Sequence, residues 1–480
     1  MSEPTLKEKT AKGLYWTSIG GGLQQVIGTA IGVVFARILS QDDYGIIGML
    51  SIFIAIGVII QDGGFSTGLI NRKEIKHDDY NAVFWFSFIS GLIIYIILFF
   101  CAPLIAAFFR EPALIKLSRV LFLFMLIGSL SIAPNSYLTK QMKYKELTIS
   151  SLIGLIISTT TGLVLVLHGY AYWSLVIQSI VNTLISTVLR WNYCPWKPNF
   201  HFNFQPLKEM FPFSFKLLLT NFVRHINDNI LSVFFGRLYT KQEVGIYAQG
   251  NKWATMGYAF INSIISTTAQ SVLVAADDRK HQRRIFRKML RFITFLSFPA
   301  MLGLALVTPE LIEILITDKW MSSATIMQLT CIWGAFFPIS TLYIQLLITN
   351  GKSNLYLWNT TALGLLQIIT LFCVYSQGIT VMVFSFLLIN LLWLCVWHYW
   401  VQGLIGLRIT DVLKDIMPYL LISGIALGVS YFISIYIDNI YLRCLQKIIT
   451  AVLIYVALMW KLDSVVFKES VHYILKRKIE

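Results

Sequence analysis

Uninterrupted apolar segments of about 20 residues recur along almost the whole chain, and they limit its fold more than any other feature. A helix of that length crosses a hydrocarbon core of about 30 Å. The strands of a membrane β-barrel would instead be segments of about ten residues with alternating apolar and polar side chains. The chain has 480 residues, of which 56% are hydrophobic and 13% charged. Because soluble domains contain about 25% charged residues, the sequence predicts an all-α polytopic membrane protein.

The apolar segments predict about fourteen transmembrane helices, each with ends defined to within a few residues. The connections between them are short, so the chain has no room for a soluble catalytic domain, and we expect no enzyme. The predicted helices cover residues of about 14–36, 45–62, 82–109, 114–134, 147–167, 170–190, 212–236, 246–272, 290–316, 323–349, 354–376, 379–403, 414–437 and 440–460.

The distribution of Lys and Arg predicts the orientation of the helices. If both termini are cytoplasmic and the connections alternate, basic residues favour the cytoplasmic side roughly three to one, as the positive-inside rule requires. The run "DDRKHQRRIFRKMLR", residues 277–291, is the strongest cytoplasmic element. Beside a membrane span it indicates a topology anchor that contacts anionic membrane lipids. The net charge of +15 therefore gives no reason to expect a nucleic-acid partner.

Two stretches of the chain repeat each other. "FARILSQDDYGI" begins at Phe35, where the first span ends, and "FGRLYTKQEVGI" begins at Phe235, where the seventh span ends. The first and seventh spans run in the same direction, so the repeat is parallel. It predicts two six-helix lobes related by an axis along the membrane normal, followed by two extra helices. We therefore expect an N-terminal lobe at residues 1–210, a C-terminal lobe at 211–403, and the last two spans with a cytoplasmic tail at 404–480.

The seventh span contains charged residues at its centre, in "LLLTNFVRHINDNILSVFFGR", which begins at Leu217. At about 100° per residue, Asn221, Arg224, His225 and Asp228 lie on one face of the helix. An arginine at the bilayer centre costs at least about 2.5–3.5 kcal/mol on insertion scales. One interpretation is a wet cavity in which Arg224 binds an anionic headgroup. The other is a structural ion pair between Arg224 and Asp228, spaced at i and i+4.

Three longer stretches resemble the multidrug/oligosaccharidyl-lipid/polysaccharide exporter superfamily. Within it, the chain resembles the bacterial flippases for polysaccharide repeat units, of the Wzx type and the colanic and teichuronic acid branch. The order of the stretches, the number of spans and the order of the lobes extend the resemblance over nearly the whole chain. The matching stretches are "GLYWTSIGGGLQQVIGTAIGVVFARILSQDDYGIIGM", "QDGGFSTGLINRKEIKHDDYNAVFWFSF" and "NDNILSVFFGRLYTKQEVGIYAQGNKWA".

The resemblance implies a transporter of undecaprenyl-diphosphate-linked oligosaccharide in the bacterial cytoplasmic membrane. Such a flippase moves the lipid to the outer leaflet by alternating access, for lipopolysaccharide, capsule or exopolysaccharide synthesis. The partners implied are that lipid-linked oligosaccharide, membrane lipids, the polysaccharide polymerase and the chain-length machinery. No cofactor or metal is expected, since the six cysteines are scattered, and coupling to a proton or sodium gradient stays open.

The candidate site residues follow from the polar positions within or at the ends of predicted spans. Gln25, in the first span, offers hydrogen bonds to sugars. Lys252, in the eighth span, adds a second cation to the cavity or equally snorkels to the interface. Arg37 and Arg237 end their spans, where they cap helix ends, pair with Asp43 and Glu243, or draw a headgroup outward. The predicted substrate-binding set is Arg224, Asp228, His225, Asn221, Gln25 and Lys252, and the predicted gate or helix-end set is Arg37, Arg237 and Asp62.

Two other classes of function compete with the flippase. A cation-coupled exporter of drugs or small molecules, built on the same superfamily fold, would need acidic residues in its cavity. The charged residues within the predicted spans are instead mostly basic: Lys216, Arg224 and Lys252 against Asp62 and Asp228. A membrane glycosyltransferase or polymerase would need a sizeable outer loop with catalytic carboxylates, and the predicted outer connections are short. The chain also has no Walker A motif that would bind ATP.

Overall fold

The computed structural model describes residues 6–72, 74–200, 203–274, 278–462 and 466–469. Within these ranges the chain is helical and forms no β-strand, as the apolar segments predict. Two short 3₁₀ helices lie at Asp318–Ser323 and Tyr375–Gln377. The α-helices are α1 (Leu6–Ile38), α2 (Gln41–Asp62), α3 (Phe65–Asn71), α4 (His77–Phe109), α5 (Ala113–Leu121), α6 (Leu123–Ser129), α7 (Ile132–Lys140), α8 (Tyr144–Leu167), α9 (Ala171–Tyr193), α10 (Gln205–Leu238), α11 (Lys241–Val274), α12 (Arg279–Ile316), α13 (Ala324–Thr349), α14 (Ser353–Val374), α15 (Ile379–Ile405), α16 (Ile409–Ser434) and α17 (Ile440–Lys461).

Twelve helical segments of the described chain are long and apolar enough to cross a membrane. The protein is therefore a multi-pass membrane protein, although the predicted count of fourteen spans is not confirmed. The two predicted spans outside the twelve are α10 and α11, which have 34 residues each. Both have the length to cross a bilayer, and α10 contains the polar face described above.

The fourth predicted span is not one continuous helix. It comprises α5, α6 and α7, which follow one another within Ala113–Lys140. Around the break between α6 and α7, the Ser129 hydroxyl donates to the carbonyl of Leu126 at 2.7 Å and the Ser131 hydroxyl to that of Gly128 at 2.9 Å. Hydroxyls that bond nearby carbonyls offer the backbone an alternative to regular helix. Hydropathy alone cannot reveal such a break, because the mean hydropathy of the segment is that of a continuous membrane span.

The chain divides into two compact units, Met1–Gly245 and Ile246–Glu480. In the first unit, α8 packs on α9 and α1, and α10 packs on α2, α3 and α4. In the second unit, α12 packs on α13, α16 and α17, and α13 packs on α15. The lobe boundaries that the repeat predicts, at residues 210 and 403, stay a prediction.

In the first unit, a turn of two glycines joins α2 to α3 within the "QDGGFSTG" stretch. Gly63 and Gly64 have φ of 59° and 75°, a left-handed conformation that side chains other than glycine rarely adopt. A Cβ on Gly64 would lie 2.5 Å from the Ser214 carbonyl oxygen. The turn therefore needs glycine both for its conformation and for the close approach of α10.

In the second unit, arginines of the basic run bind α16. Arg287 Nε and Arg291 Nε each lie 2.6 Å from a carboxylate oxygen of Asp415, and Arg283 pairs with Asp411. Asp415 is buried, so these arginines satisfy a carboxylate that would otherwise be costly to bury. The sequence predicted only contact with anionic lipid for this run and no partner on α16.

Candidate functional site

Helix α10 presents its charged side chains near its midpoint. Arg224 lies about 20 Å or more from either end of the 34-residue helix. Arg224 and Asp228 are exposed, Asn221 and His225 are half-buried, and Asn227 is buried. Intramembrane ionisable residues almost always face a bundle interior or a water-filled cavity. The exposed pair of charges is therefore the feature of α10 that most resembles a binding surface.

Arg224 is oriented toward His225 and not toward Asp228. The Arg224 Nη2 atom lies 3.4 Å from His225 Nε2. The ion pairs formed within the described ranges do not include Arg224 with Asp228. The geometry for a structural ion pair is thus missing, and the guanidinium keeps donors for another partner.

Asn221 and Asp62 line the same cavity of the first unit. The cavity has a volume of about 410 Å³ and lies between α2, α6 and α10, with Gln61, Ser131 and Thr183 also in its wall. Asp62 ends α2, and its Oδ2 accepts a hydrogen bond of 3.1 Å from the Gly64 amide. The structure thus brings two predicted site residues together and gives Asp62 a helix-end contact.

A second cavity of the first unit has a volume of about 210 Å³ and shares Ser131 and Thr183 with the first. Arg190, in the last turn of α9, contributes its cation to this wall. Arg190 is not among the site residues predicted from the sequence. The sequence does contain a feature that could have identified it, a polar face on α9. The residues at helical spacing on this face are Asn182, Thr183, Ser186, Thr187 and Arg190.

Gln25 and Lys252 are placed differently from the residues above. Gln25 is half-buried on α1, and its neighbour Gln24 is the one that lines the second cavity. Lys252 belongs to the second unit, where it is half-buried on α11 with Nζ 5.7 Å from the centre of the Trp253 ring. Its place in a shared cavity stays a prediction.

The two copies of the repeat form equivalent helix caps. The Ser40 amide and hydroxyl donate to Asp43 Oδ2 at 2.8 and 2.6 Å, at the start of α2. The Thr240 amide and hydroxyl donate to Glu243 Oε2 at 3.0 and 2.8 Å, at the start of α11. Both are capping boxes, which satisfy backbone donors at a helix N-terminus. The similarity at these positions therefore has a local structural cause.

Arg37 and Arg237 occupy the last turns of α1 and α10, where a cation interacts favourably with the helix dipole. Arg237 Nη1 donates to the Phe108 carbonyl oxygen at 2.6 Å, and its guanidinium lies 5.3 Å from the centre of the Phe108 ring. Arg237 therefore binds the end of α4, whereas the sequence analysis considered Glu243 as its partner.

The repeat copies also contact each other within the first unit. A Cβ on Gly45 would lie 1.8 Å from the Lys241 carbonyl oxygen, and one on Gly245 would lie 1.8 Å from that of Gln41. We call this meeting of residues 41–45 with residues 241–245 the glycine contact. The Gln242 amide donates to Gln41 Oε1 at 2.7 Å beside it. Only glycine at both positions permits the backbones to approach this closely.

Ion pairs at Lys241 surround the glycine contact. Lys241 Nζ lies 3.4 Å from Asp42 Oδ2 and 3.6 Å from Glu111 Oε2. These side chains are partly exposed, so each pair contributes little stability by itself. Together, the two ion pairs of Lys241 nevertheless connect the start of α11 to the start of α2 and to the residues that follow α4.

The described part of the chain contains no group of three or more His, Cys, Asp or Glu residues placed to hold a metal ion. The described donors on the polar face of α10 and in the two cavities are two arginines, a histidine, amides and hydroxyls. Such donors recognise oxyanions and sugar hydroxyls through hydrogen bonds. This part of the molecule is therefore equipped for binding a polar, anionic molecule.

Curated relatives match most of the chain. It is 22% identical over 438 residues to the teichuronic acid biosynthesis protein TuaB of Bacillus subtilis (strain 168), covering 89% of this chain and 90% of the relative. It is 23% identical over 360 residues to the lipopolysaccharide biosynthesis protein WzxC of Escherichia coli (strain K12), covering 73% of this chain and 72% of the relative.

Two solved structures have a similar fold. The lipid II flippase MurJ in an inward closed conformation superposes with a TM-score of 0.73 at 16% identity, covering 95% of this chain and 99% of that one. An inward-facing multidrug resistance MATE family transporter of the MOP superfamily superposes with a TM-score of 0.64 at 14% identity, covering 82% of this chain and 98% of that one. The superfamily fold expected from the sequence is confirmed. Residues 34–325 match the family model described as polysaccharide biosynthesis protein, and the chain belongs to that family.

Proposed function

We propose that this protein is a flippase that moves undecaprenyl-diphosphate-linked oligosaccharide repeat units across the bacterial inner membrane. It acts as a transporter and not as an enzyme. The observation that carries the proposal is Arg224, a cation exposed at the middle of α10 without an ion-pair partner on that helix. The relatives named for teichuronic acid and lipopolysaccharide biosynthesis support the substrate class, and so does the neighbour named a lipid II flippase.

The proposed roles follow from the donors that each side chain offers. Arg224 binds the diphosphate through a pair of guanidinium hydrogen bonds, which match the geometry of phosphate oxygens. Asn221, His225 and Asp228 bind sugar hydroxyls, and Gln25 offers them a further hydrogen bond. The polyprenyl tail remains in lipid throughout, because moving it through a polar cavity would expose its apolar surface to water.

The reaction cycle is alternating access, and the glycine contact is its outer gate. In the proposed topology the α1–α2 and α10–α11 connections face away from the cytoplasm. The substrate enters from the inner leaflet while residues 41–45 and 241–245 remain together. Release outward requires these backbones to separate, and the ion pairs of Lys241 must break at the same time.

Gly45→Ala is expected to weaken the closed gate and to reduce export. Its new Cβ would meet backbone atoms of Lys241 and Gly245, and overpacking of this kind costs about 1–3 kcal/mol. Cysteines introduced at Gln41 and Gln242 and joined by a bifunctional thiol reagent that spans the shorter side chains measure the closed state, since the amide groups of the two glutamines meet at 2.7 Å. Their cross-linking yield should fall in Gly45→Ala.

Gly21→Ala is the matched control for the gate variant. A Cβ on Gly21 would meet nothing within 4 Å, so export and cross-linking should remain at wild-type levels. If Gly45→Ala cross-links and exports as well as Gly21→Ala, the glycine contact is not a gate.

The proposed orientation has both termini in the cytoplasm; the terminal residues themselves lie outside the described ranges. Reporter enzymes fused after Ile75 and after Lys280 should be active as cytoplasmic reporters. A fusion after Glu243 should read as external. An external reading after Lys280 would overturn both the orientation and the fourteen-span topology.

Transport by the purified protein tests the proposed function directly. The full chain is reconstituted in vesicles that contain undecaprenyl-diphosphate-linked oligosaccharide, and an added glycosidase cleaves only the sugars on the outer face. We expect the protein to bring a protected pool of oligosaccharide within reach of the enzyme. Proton and sodium gradients applied separately identify any coupling ion. Vesicles that leave the lipid in place but transport a cationic dye would favour the drug exporter instead.

A further inference from the structure

The second cavity of the first unit contains a cation that the proposed reaction cycle has not used. Arg190 is half-buried near the end of α9, and its Nη2 donates to the Ser151 hydroxyl of α8 at 3.3 Å. Its Nε is buried and has no hydrogen-bond partner within the described chain. A buried guanidinium atom in that state costs stability unless a ligand satisfies it.

The wall of this cavity consists almost entirely of hydrogen-bonding side chains. It includes no carboxylate, so no wall residue neutralises Arg190. The Thr187 hydroxyl is a second buried polar atom that no other part of the described structure satisfies. The lining residues are Gln24, Ser131, Ser151, Leu155, Asn182, Thr183, Ser186, Thr187 and Arg190.

The close approach of α8 and α9 holds these donors together. A Cβ on Gly154 of α8 would lie 2.2 Å from the Ser186 hydroxyl oxygen and 3.1 Å from the Asn182 carbonyl oxygen. Glycine at this position therefore lets the polar face of α9 lie directly against α8. The arrangement is a built pocket and not a single arginine that extends toward the membrane surface.

We propose that Arg190 and the polar wall around it bind an oxyanion of the transported lipid-linked glycan. The inference rests on the proposed function and adds a second anion subsite to it. Ser131 and Thr183 belong to this cavity and also to the one lined by Asp62 and Asn221. A substrate that occupies both cavities would therefore reach Arg190 with one charged group. That group is either a phosphate of the carrier or a carboxylate of an acidic sugar.

Binding measurements with two probes separate these sources. The detergent-solubilised full chain is titrated with undecaprenyl diphosphate, and separately with a uronic-acid oligosaccharide that carries no phosphate. Arg190→Gln should weaken the binding of one probe by about tenfold or more, because a charge-assisted hydrogen bond is lost. Arg190→Lys should bind with intermediate affinity, since it keeps the charge without the planar fork. If Arg190→Gln loses affinity for only one of the two probes, that probe carries the anionic group that Arg190 binds.

Two control variants distinguish binding from folding. Arg119→Gln changes another half-buried arginine of the same unit, whose Nε donates to the Phe99 carbonyl oxygen, and should bind both probes normally. Ser179→Ala removes a hydroxyl of α9 that lies outside the cavity wall and donates to the Leu175 carbonyl oxygen, and it should also bind both probes normally. Ligand-free Arg190→Gln should melt no lower than the wild type, because the group removed is a half-buried cation whose buried Nε has no hydrogen-bond partner in the described chain.

The possible failures are distinguishable. If Arg190→Gln binds both probes and exports as the wild type does, the Arg190 subsite is wrong while the flippase proposal stands. If ligand-free Arg190→Gln melts well below the wild type and its loss of binding only follows the loss of folded protein, Arg190 is a packing residue. If the wild type neither binds nor transports a lipid-linked glycan, the proposed function itself fails and the subsite fails with it.

Discussion

Replacing Arg224 with alanine is expected to abolish export while the protein accumulates in the membrane at its normal level. Truncating one partner of a hydrogen-bonded charge pair costs about 2–5 kcal/mol, and each 1.4 kcal/mol is a factor of about ten. Export should therefore fall by at least about twentyfold. The amount of protein should not change, because the described structure does not pair Arg224 with Asp228. Arg224→Lys should be partly active, since ammonium keeps the charge but not the bidentate geometry.

Lys216 offers a matched control on the same helix. It is also an exposed cation, but it lies outside the polar face of α10. Lys216→Ala should export normally. If it reduces export as much as Arg224→Ala, the general positive charge of α10 matters and no specific ligand contact is involved.

The double variant Arg224→Leu with Asp228→Leu separates a substrate ligand from a structural ion pair. We expect a folded but inactive protein, measured as normal membrane level and absent export. A double variant that exports normally would rule out Arg224 as a ligand. Low protein from either single variant, restored by the double, would instead indicate that the two charges stabilise each other.

The helices could be predicted from the sequence because the bilayer imposes a minimum length on every apolar segment. α2 was predicted at residues 45–62 and forms at Gln41–Asp62. The difference is the capping box at Ser40, which starts the helix before its apolar part begins. The break between α6 and α7 was not predicted, because the hydroxyls of Ser129 and Ser131 act on local backbone and leave the hydropathy unchanged.

The polar face of α10 could also be predicted, since it depends only on spacing within one helix. The contacts of Arg190 and the glycine contact itself could not be predicted, because both depend on which helices pack together. The sequence around Gly154 does not indicate that α8 packs against Ser186. The sequence around Gly45 does not indicate that its backbone meets Lys241. Interactions of this kind are set by the tertiary structure, so a single sequence leaves them open.

Lys447→Ala in α17 is expected to destabilise the second unit by about 3–5 kcal/mol, because it removes the hydrogen-bonded partner of a buried carboxylate and leaves only the partly exposed Arg443 near it. Lys447 Nζ donates to Glu310 Oε1 of α12 at 2.6 Å, and each side chain is only 6% exposed. Lys288 and Glu469 form the matched control: their distance is 2.7 Å, but their side chains are 67% and 52% exposed. Lys288→Ala should cost about 0–1 kcal/mol. Thermal unfolding of the purified variants measures both, and equal losses would contradict the role of burial.

The double variant Glu310→Leu with Lys447→Leu tests whether this buried pair is only structural. Replacing a buried ion pair by apolar side chains is often neutral or stabilising, so the double variant should unfold near the wild-type temperature. Arg443, 3.5 Å from Glu310, is 37% exposed and can turn to water when the carboxylate is removed. If the double variant exports and unfolds like the wild type, the pair only helps to hold α12 and α17 together. A stable double variant that no longer responds to an imposed proton or sodium gradient would instead place ion coupling at Glu310.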